Sequence, residues 1–165
     1  MAILATTHKM KESLVIRPLE IDDIFAVCAI ENKVNFSPWS EAMFTDGLRV
    51  GYYAGVVLVA EKVVGFAVFS FVIDECQIMN FAIAPAFQHH GLGGQLLQHA
   101  LQELRHLGAR FCYLDVRRSN VNAQGLYKKF GFHQVGCRKR YYPTETSYED
   151  ALVMELNLGE EVNLA

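Results

Sequence analysis

The chain lacks most of what marks the specialised protein classes. Its 165 residues hold four prolines, one tryptophan and a net charge of −3. There is no proline-rich extended segment, and no excess of positive charge to support non-specific nucleic-acid binding. A basic partner would suit this balance better. The four cysteines, Cys28, Cys76, Cys112 and Cys137, are scattered, with no C-x-x-C pair and no histidine at metal-ligand spacing. They read as buried reduced thiols, and no metal is expected. A long apolar run is missing too. The nearest thing to one, residues 51–73, is broken at its centre by Glu61 and Lys62, each costing roughly 2.5–3.5 kcal/mol at mid-bilayer. A charged turn between two strands explains it better. Residues 1–4 are too short an apolar stretch for a secretory signal, and Lys9, Lys11 and Glu12 follow. The expectation is a cytoplasmic protein with no membrane association.

What remains is ordinary globular composition, 52% hydrophobic and 20% charged. With no linker, repeat or low-complexity stretch inside residues 13–158, the chain reads as one domain over 1–165 with its core at about 13–158. The ends, 1–12 and 159–165, look dispensable to that core. Element types alternate. A short strand at 14–17 stops at Pro18, and Ile24, Val27, Cys28, Ile30 and Val34 recur at helical spacing over 22–33. After the turn Phe36-Ser-Pro-Trp39, Ser40 is placed to cap a second helix starting near Glu41. Residues 52–60 and 63–71 are β-branched and aromatic and flank Glu61-Lys62, which reads as a hairpin turn. Strands at 75–84 and 111–116, helices at 93–107 and 121–130, and strands at 132–138 and 149–158 complete the series. Strands in series followed by strand–helix alternation imply an α/β fold on a mixed sheet.

The stretch 78–107 is the most informative. A strand passes through Pro85 into Gln88-His-His-Gly-Leu-Gly-Gly94, where an amphipathic helix begins. Leu96, Leu97, Ala100, Leu101, Leu104 and Leu107 form its apolar face, and Gly108 stops it. Glycines at such a junction let backbone N–H groups approach an anion, and the helix N-terminus adds about half a positive charge there. A pyrophosphate needs this arrangement, although a plain strand-to-helix turn would have the same composition. Two rival phosphate loops fail on spacing. The dinucleotide fingerprint lacks its third glycine, and Gln95-Leu96 stands where a Walker loop needs Lys-Ser/Thr.

These residues carry a resemblance. Gln88-His-His-Gly-Leu-Gly resembles the Q/R-x-x-G-x-G/A pyrophosphate loop of the GNAT acetyltransferases. Phe36-Ser-Pro-Trp-Ser-Glu41, Asn80-Phe-Ala-Ile-Ala-Pro85, Tyr113-Leu-Asp-Val-Arg-Arg-Ser-Asn120, Leu126-Tyr-Lys-Lys-Phe-Gly-Phe132, Arg140-Tyr-Tyr-Pro143 and Glu149-Asp-Ala-Leu-Val-Met154 are similar to the RimI-type branch, the bacterial ribosomal-protein alanine N-acetyltransferases. The resemblance implies a GNAT fold, with a sheet of about seven strands splayed between the fourth and fifth and about four flanking helices. It implies acetyl-coenzyme A as co-substrate. Backbone groups of Phe81, Ala82 and Ile83 would pair with the pantetheine arm, and His89, His90, Gly91, Leu92, Gly93 and Gly94 would cradle the pyrophosphate. Asn120 would also bind the cofactor.

The branch has a glutamate base where this chain has Asp115, and its general-acid tyrosine matches Tyr127. From the residues alone, Asp115 sits on the strand face shared by Tyr113 and Arg117, opposite Cys112, Leu114 and Val116. A carboxylate paired with an arginine fits that position as well as a base does. Tyr127 lies in a helical stripe with Ala123, Leu126 and Phe130, where packing is the ordinary use. The implied chemistry is attack of a neutral amine on a thioester through a tetrahedral oxyanion, for which a backbone N–H near Ile83 is the natural donor. An α-amine with a pKa near 7.7–8.0 asks less of a base than a lysine at about 10.4. Asp115 is one methylene shorter than glutamate, which favours a water relay, and Glu75 is the reserve base. A phenol near 10 protonating a thiolate near 8.5 is uphill by roughly 2 kcal/mol, so Tyr127 would serve chiefly as a hydrogen bond.

The expected acceptor is the N-terminal segment of a protein, with an α-amine on alanine and basic residues after it, as on a small-subunit ribosomal protein. Trp39, Glu75 and Tyr142 are the candidate acceptor contacts, with Tyr141 and Tyr148 as further aromatics. Asp74, Glu145, Glu149 and Asp150 could meet a basic tail, while Arg138-Lys-Arg140 is a contrary sign. No direct nucleic-acid contact is expected, and the expected state is a monomer or weak dimer. Two other readings stay open: acetylation of a small amine such as a polyamine or aminoglycoside, and a non-catalytic acyl-coenzyme A-binding module.

Overall fold

The computed structural model describes residues 13–159. Among them the chain forms β1 (Leu14–Pro18), α1 (Ile24–Val34), α2 (Glu41–Arg49), β2 (Tyr53–Val59), β3 (Lys62–Val72), β4 (Glu75–Ile83), α3 (Leu92–His106), β5 (Phe111–Arg117), α4 (Val121–Lys129), β6 (His133–Pro143) and β7 (Tyr148–Asn157). The strands make one seven-stranded sheet in the order β1-β2-β3-β4-β5-β7-β6. The β4–β5 pair is parallel, and β1–β2, β2–β3, β5–β7 and β6–β7 are antiparallel. This is the mixed sheet the alternation of elements implied. The parallel ladder is short, running from Glu75 opposite Phe111 to Gln77 opposite Tyr113. Beyond Gln77, β4 continues to Ile83 with its Phe81–Ile83 backbone outside that ladder.

The chain divides into two compact units. The first holds the chain up to Phe69 together with Asn80–Leu101. Its core is built from β-branched and aromatic residues of β2 and β3 and from the leucines of α3: Val56, Val57, Val64, Phe66, Leu96 and Leu97 are fully buried. Phe44 of α2 meets Phe66 edge-on at 5.3 Å between ring centroids. Ser40 caps α2, its hydroxyl accepting from the Met43 N–H at 3.3 Å. The second unit holds Ser70–Met79 and the chain from Gln102 on. There β5 alternates strictly: Cys112, Leu114 and Val116 are buried, and Tyr113, Asp115 and Arg117 are half-buried on the opposite face. Met154, Leu156 and Leu158 complete that core.

Several expectations need correction in detail. The β2–β3 turn is Ala60-Glu61 rather than Glu61-Lys62, because both residues take positive φ (48° and 65°) and Lys62 already pairs with Val59. Val34 and Leu107 are exposed. Val34 ends α1, and Leu107 lies past the last turn of α3, where Gly108 (φ 106°) turns the chain away. In α1 the buried stripe is Ile24, Val27, Ile30 and Glu31, so a carboxylate fills a place the apolar pattern gave to Val34. Cys137 is exposed and Cys28 half-buried, unlike the buried thiols expected, because β6 is an edge strand with most of its residues in solvent. Cys76 and Cys112, 36 positions apart in sequence, stand opposite each other as free thiols in the β4–β5 ladder. Strand β6 runs on through Pro143, absorbing a bulge between Arg138 and Tyr142.

Candidate active site

In the first unit the glycine-rich junction turns sharply and leaves the first backbone donors of α3 open. After the 3₁₀ turn Pro85–Phe87, Gln88 folds back and its side-chain amide donates to the Ile83 carbonyl at 2.9 Å. His89 and Gly91 then both take left-handed φ, 64° and 79°. A non-glycine residue in that region is uncommon and tends to mark functional turns. The first α-helical bond of α3 runs from the Gln95 N–H to the Gly91 carbonyl. The N–H groups of Leu92, Gly93 and Gly94 therefore have no acceptor within the helix. No acidic residue lies in the first turn, and a Cβ at Gly91 would meet nothing within 4 Å. Open backbone donors, no competing carboxylate and the positive end of the helix dipole fit a pyrophosphate. On β4, Ala82 and Ile83 are buried and Phe81 half-buried.

In the second unit a cavity of about 380 Å³ is lined by residues of β3, β4, β5, β6 and β7, among them Glu75, Gln77, Tyr113, Asp115 and Arg138. Two of the carboxylates singled out in the sequence, Asp115 and Glu75, thus share one cavity. Asp115 is paired: Arg138 Nε donates to its Oδ1 at 3.2 Å. Its backbone carbonyl accepts from the Tyr142 hydroxyl at 3.2 Å. Burial and the adjacent Asp115 push the Tyr142 phenol up to about 12. Tyr113 donates to Glu155, its partner across the β5–β7 ladder, and that bond together with burial raises its phenol to about 12. Both hydroxyls therefore keep their protons at neutral pH.

The remaining candidates fall elsewhere. Tyr127 is buried in α4 with its ring 5.6 Å from Phe132, and burial carries its phenol well above the ordinary range. Asn120 is the N-cap of α4, its Oδ1 accepting from the Ala123 N–H at 3.1 Å. Trp39, in the first unit, packs on Phe44 at 5.2 Å, and its N–H donates to Glu31 Oε1 at 3.2 Å. Two of the acids expected to meet a basic tail are already engaged. Glu149 binds Arg117 and Ser119, and Asp150 binds Arg118, Lys139 and the Arg140 N–H. Arg138 and Glu31 were not among the residues singled out as site residues. The placement of arginines at 117, 118, 138 and 140 gives no cue as to which one reaches Asp115. Glu31 left a cue of a kind, as a charge inside an apolar helical stripe.

A seven-stranded mixed sheet with a short parallel pair, leading through a glycine-rich junction into a helix, is the fold of an acyltransferase family. The chain belongs to the acetyltransferase (GNAT) family, whose model matches residues 20–132. Within that family it is similar to the enzymes called [ribosomal protein bS18]-alanine N-acetyltransferase. It is 37% identical to the one from Escherichia coli K12 over 87% of this chain and 97% of that one. It is 36% identical to the one from Salmonella typhimurium LT2 over 86% of this chain and 95% of that one. The crystal structure of the ribosomal-protein-S18-alanine N-acetyltransferase from Escherichia coli superposes with a TM-score of 0.84 at 36% identity, covering 88% of this chain and 94% of that chain. Among the described residues no helix is long and apolar enough to cross a membrane.

Proposed function

We propose that this protein transfers an acetyl group from acetyl-coenzyme A to the N-terminal α-amine of a ribosomal protein in the cytoplasm, with alanine as the acceptor residue. The observation that carries the reading is the cavity holding Asp115 and Glu75 in a chain whose near-full-length relatives bear that activity in their names. An α-ammonium is a small cation, and two carboxylates with no lysine among the cavity's lining residues suit it.

The co-substrate supplies an activated acetyl thioester. The first-turn N–H groups of α3 and the Gly91 turn hold its pyrophosphate, with His89, His90, Leu92, Gly93 and Gly94 in the same cradle. Phe81, Ala82 and Ile83 offer it strand backbone, and Asn120 keeps a side-chain amide donor that its cap bond does not use. Asp115 takes the proton released by the amine through a water molecule, because its side chain is one methylene shorter than a glutamate's. Glu75, which forms no ion pair among the described residues, is the second carboxylate and balances the ammonium. An α-amine near pKa 7.7–8.0 is already about a tenth neutral at pH 7, so a weak base suffices. Burial raises the Tyr127 phenol, so it serves the departing thiolate chiefly by donating a hydrogen bond. Tyr142, bonded to the Asp115 carbonyl, is the aromatic contact on the approach of the acceptor peptide.

The test is acetyl transfer to a peptide with a free N-terminal alanine followed by basic residues, against the same peptide with its α-amine blocked and against spermidine. Thiol release with the open peptide alone is the expected result. Release with spermidine alone would move the acceptor to small amines, and cofactor binding without release from any amine would make the chain a binding module.

A further inference from the structure

The cation on Asp115 stands out against its neighbours. Arg117, one strand position pair away, is fully committed: it donates to Glu149 at 3.0 Å and to the Pro143 carbonyl at 2.9 Å, lies over the Tyr142 ring at 4.6 Å, and its side chain is 20% exposed. Arg138 is held far more loosely. It reaches Asp115 through Nε to a single oxygen, its side chain is 53% exposed, and its one aromatic neighbour, Tyr141, is 5.7 Å away. A forked bond from both terminal nitrogens would be the strong arrangement for such a pair, and it is not made. The Asp115 side chain itself is only 12% exposed. A largely buried carboxylate lining the cavity is therefore neutralised by an exposed guanidinium held through a single bond.

The backbone supports this asymmetry. Arg138 is opposite Ala151 and Tyr142 opposite Glu149, so β6 spends four steps where β7 spends two. Arg140, inside that excess, takes φ 50°. Arg138 thus sits at the start of a bulge on an edge strand, where a side chain can leave its partner without breaking a regular ladder. Tyr142, on the far side of the bulge, bonds the Asp115 backbone carbonyl and not the carboxylate that Arg138 engages.

We infer that Arg138 is the resident cation of the acceptor site, holding the Asp115 carboxylate until the α-ammonium of an incoming N-terminus displaces it. The inference rests on the reading that Asp115 serves the acceptor amine. It makes Arg138 a specificity-determining residue: a blocked or uncharged terminus cannot replace a guanidinium, so the carboxylate stays closed to it. The exchange of one cation for another leaves the charge on Asp115 balanced throughout.

The experiment compares wild type, Arg138→Gln and Arg138→Lys at saturating acetyl-coenzyme A, varying the alanine peptide. With the resident cation gone, the acceptor KM of the Gln variant should fall about two- to fivefold, the range expected for an exposed ion pair, with the change in KM rather than kcat. Guanidinium chloride at sub-denaturing concentration, matched against sodium chloride, should compete with the peptide in the Gln variant and restore the wild-type KM. The Lys variant should lie near wild type. A raised acceptor KM in the Gln variant would make Arg138 an acceptor contact. An unchanged KM with no guanidinium competition would make the pair purely structural. Either overturns the inference. Absence of wild-type turnover on the peptide would instead sink the functional reading, and this one with it. Thermal unfolding of both variants guards against misfolding, and should the Gln variant not fold, Arg138→Met with the same guanidinium competition replaces it.

Discussion

Gly65, in the middle of β3, is where the packing of the first unit makes its sharpest demand. A Cβ built there would fall closest to Ile83 Cδ1, then 2.8 Å from Val57 Cγ1 and 3.0 Å from the Ala82 carbonyl oxygen. These neighbours do not yield equally. The end of an isoleucine can rotate away, but Val57 is β-branched with a stiff χ1, and the Ala82 oxygen is backbone. Gly65→Ala must therefore push β4 away from β3 by several tenths of an ångström at the residues assigned to the pantetheine arm. Overpacking by one methyl costs about 1–3 kcal/mol, and two unyielding neighbours put this case near the top of that range. The restricted unfolded chain returns about 0.4–1 kcal/mol, leaving a net loss of about 2 kcal/mol. For a domain of this length that lowers Tm by about 4–8 °C.

The assay is thermal unfolding beside an acetyl-coenzyme A titration, with Gly55→Ala as control. Gly55 lies one strand over, and a Cβ there would make only ordinary contacts at 3.5 Å or more, to Tyr53 and the Arg17 carbonyl. Its Tm should stay level or rise slightly. Gly65→Ala should lose both stability and cofactor affinity. A Tm within about 1 °C of wild type for both variants would refute the reasoning, since β4 would then have moved at no cost.

Three further expectations can be checked on the same material. Tyr127→Phe should lower turnover by roughly 10²-fold, the loss of one preorganised donor, with acetyl-coenzyme A KM unchanged, read by steady-state kinetics; unaltered turnover removes Tyr127 from the chemistry. Arg17 donates twice to Asp23, at 2.7 and 2.9 Å, and this bonding holds the Asp23 carboxyl below the usual carboxylate range. A native value below the unfolded one of about 3.9 gives stability that is complete above that pH and lost as pH falls through the native value. The urea midpoints of wild type and Asp23→Asn should accordingly converge in acid, and a gap that persists there would assign the difference to packing. Glu31 is fully buried, and its Oε1 accepts from Asn35 Nδ2 and the Trp39 N–H. Glu31→Ala should cost about 2–4 kcal/mol by stranding both donors and leaving a void; a denaturation midpoint equal to wild type would show that water replaces the carboxylate freely.

The elements were legible because their signals are local. The β-branched runs of β2 and β3, Ser40 before α2, and the leucine face of α3 all lie within a few residues of what they determine. The glycine-rich junction was legible for the same reason, since glycines, helix start and strand end adjoin in sequence. Where the reading slipped, the deciding contact was tertiary. Glu31 displaced Val34 from the buried stripe because it serves a loop that returns over α1, and Cys137 is exposed because β6 ended at the sheet edge, which no property of residue 137 announces.

The acceptor side shows why local signals give out sooner in a site than in a fold. That Asp115 needs a partner follows from its place in a strand beside buried neighbours, and an arginine is the natural one. The four arginines that follow it, at 117, 118, 138 and 140, compete for the role. The choice falls to Arg138, 23 positions away, and depends on the count of residues in a bulge between two antiparallel strands. One residue more or fewer there would turn Arg138 to the other face of the sheet, and Asp115 would lose this partner with every residue of the motif around it unchanged. The carboxylate of Asp115 is thus written in one segment and its partner set by another. A substitution series confined to the Tyr113–Asn120 motif would miss the residue that pairs with its carboxylate.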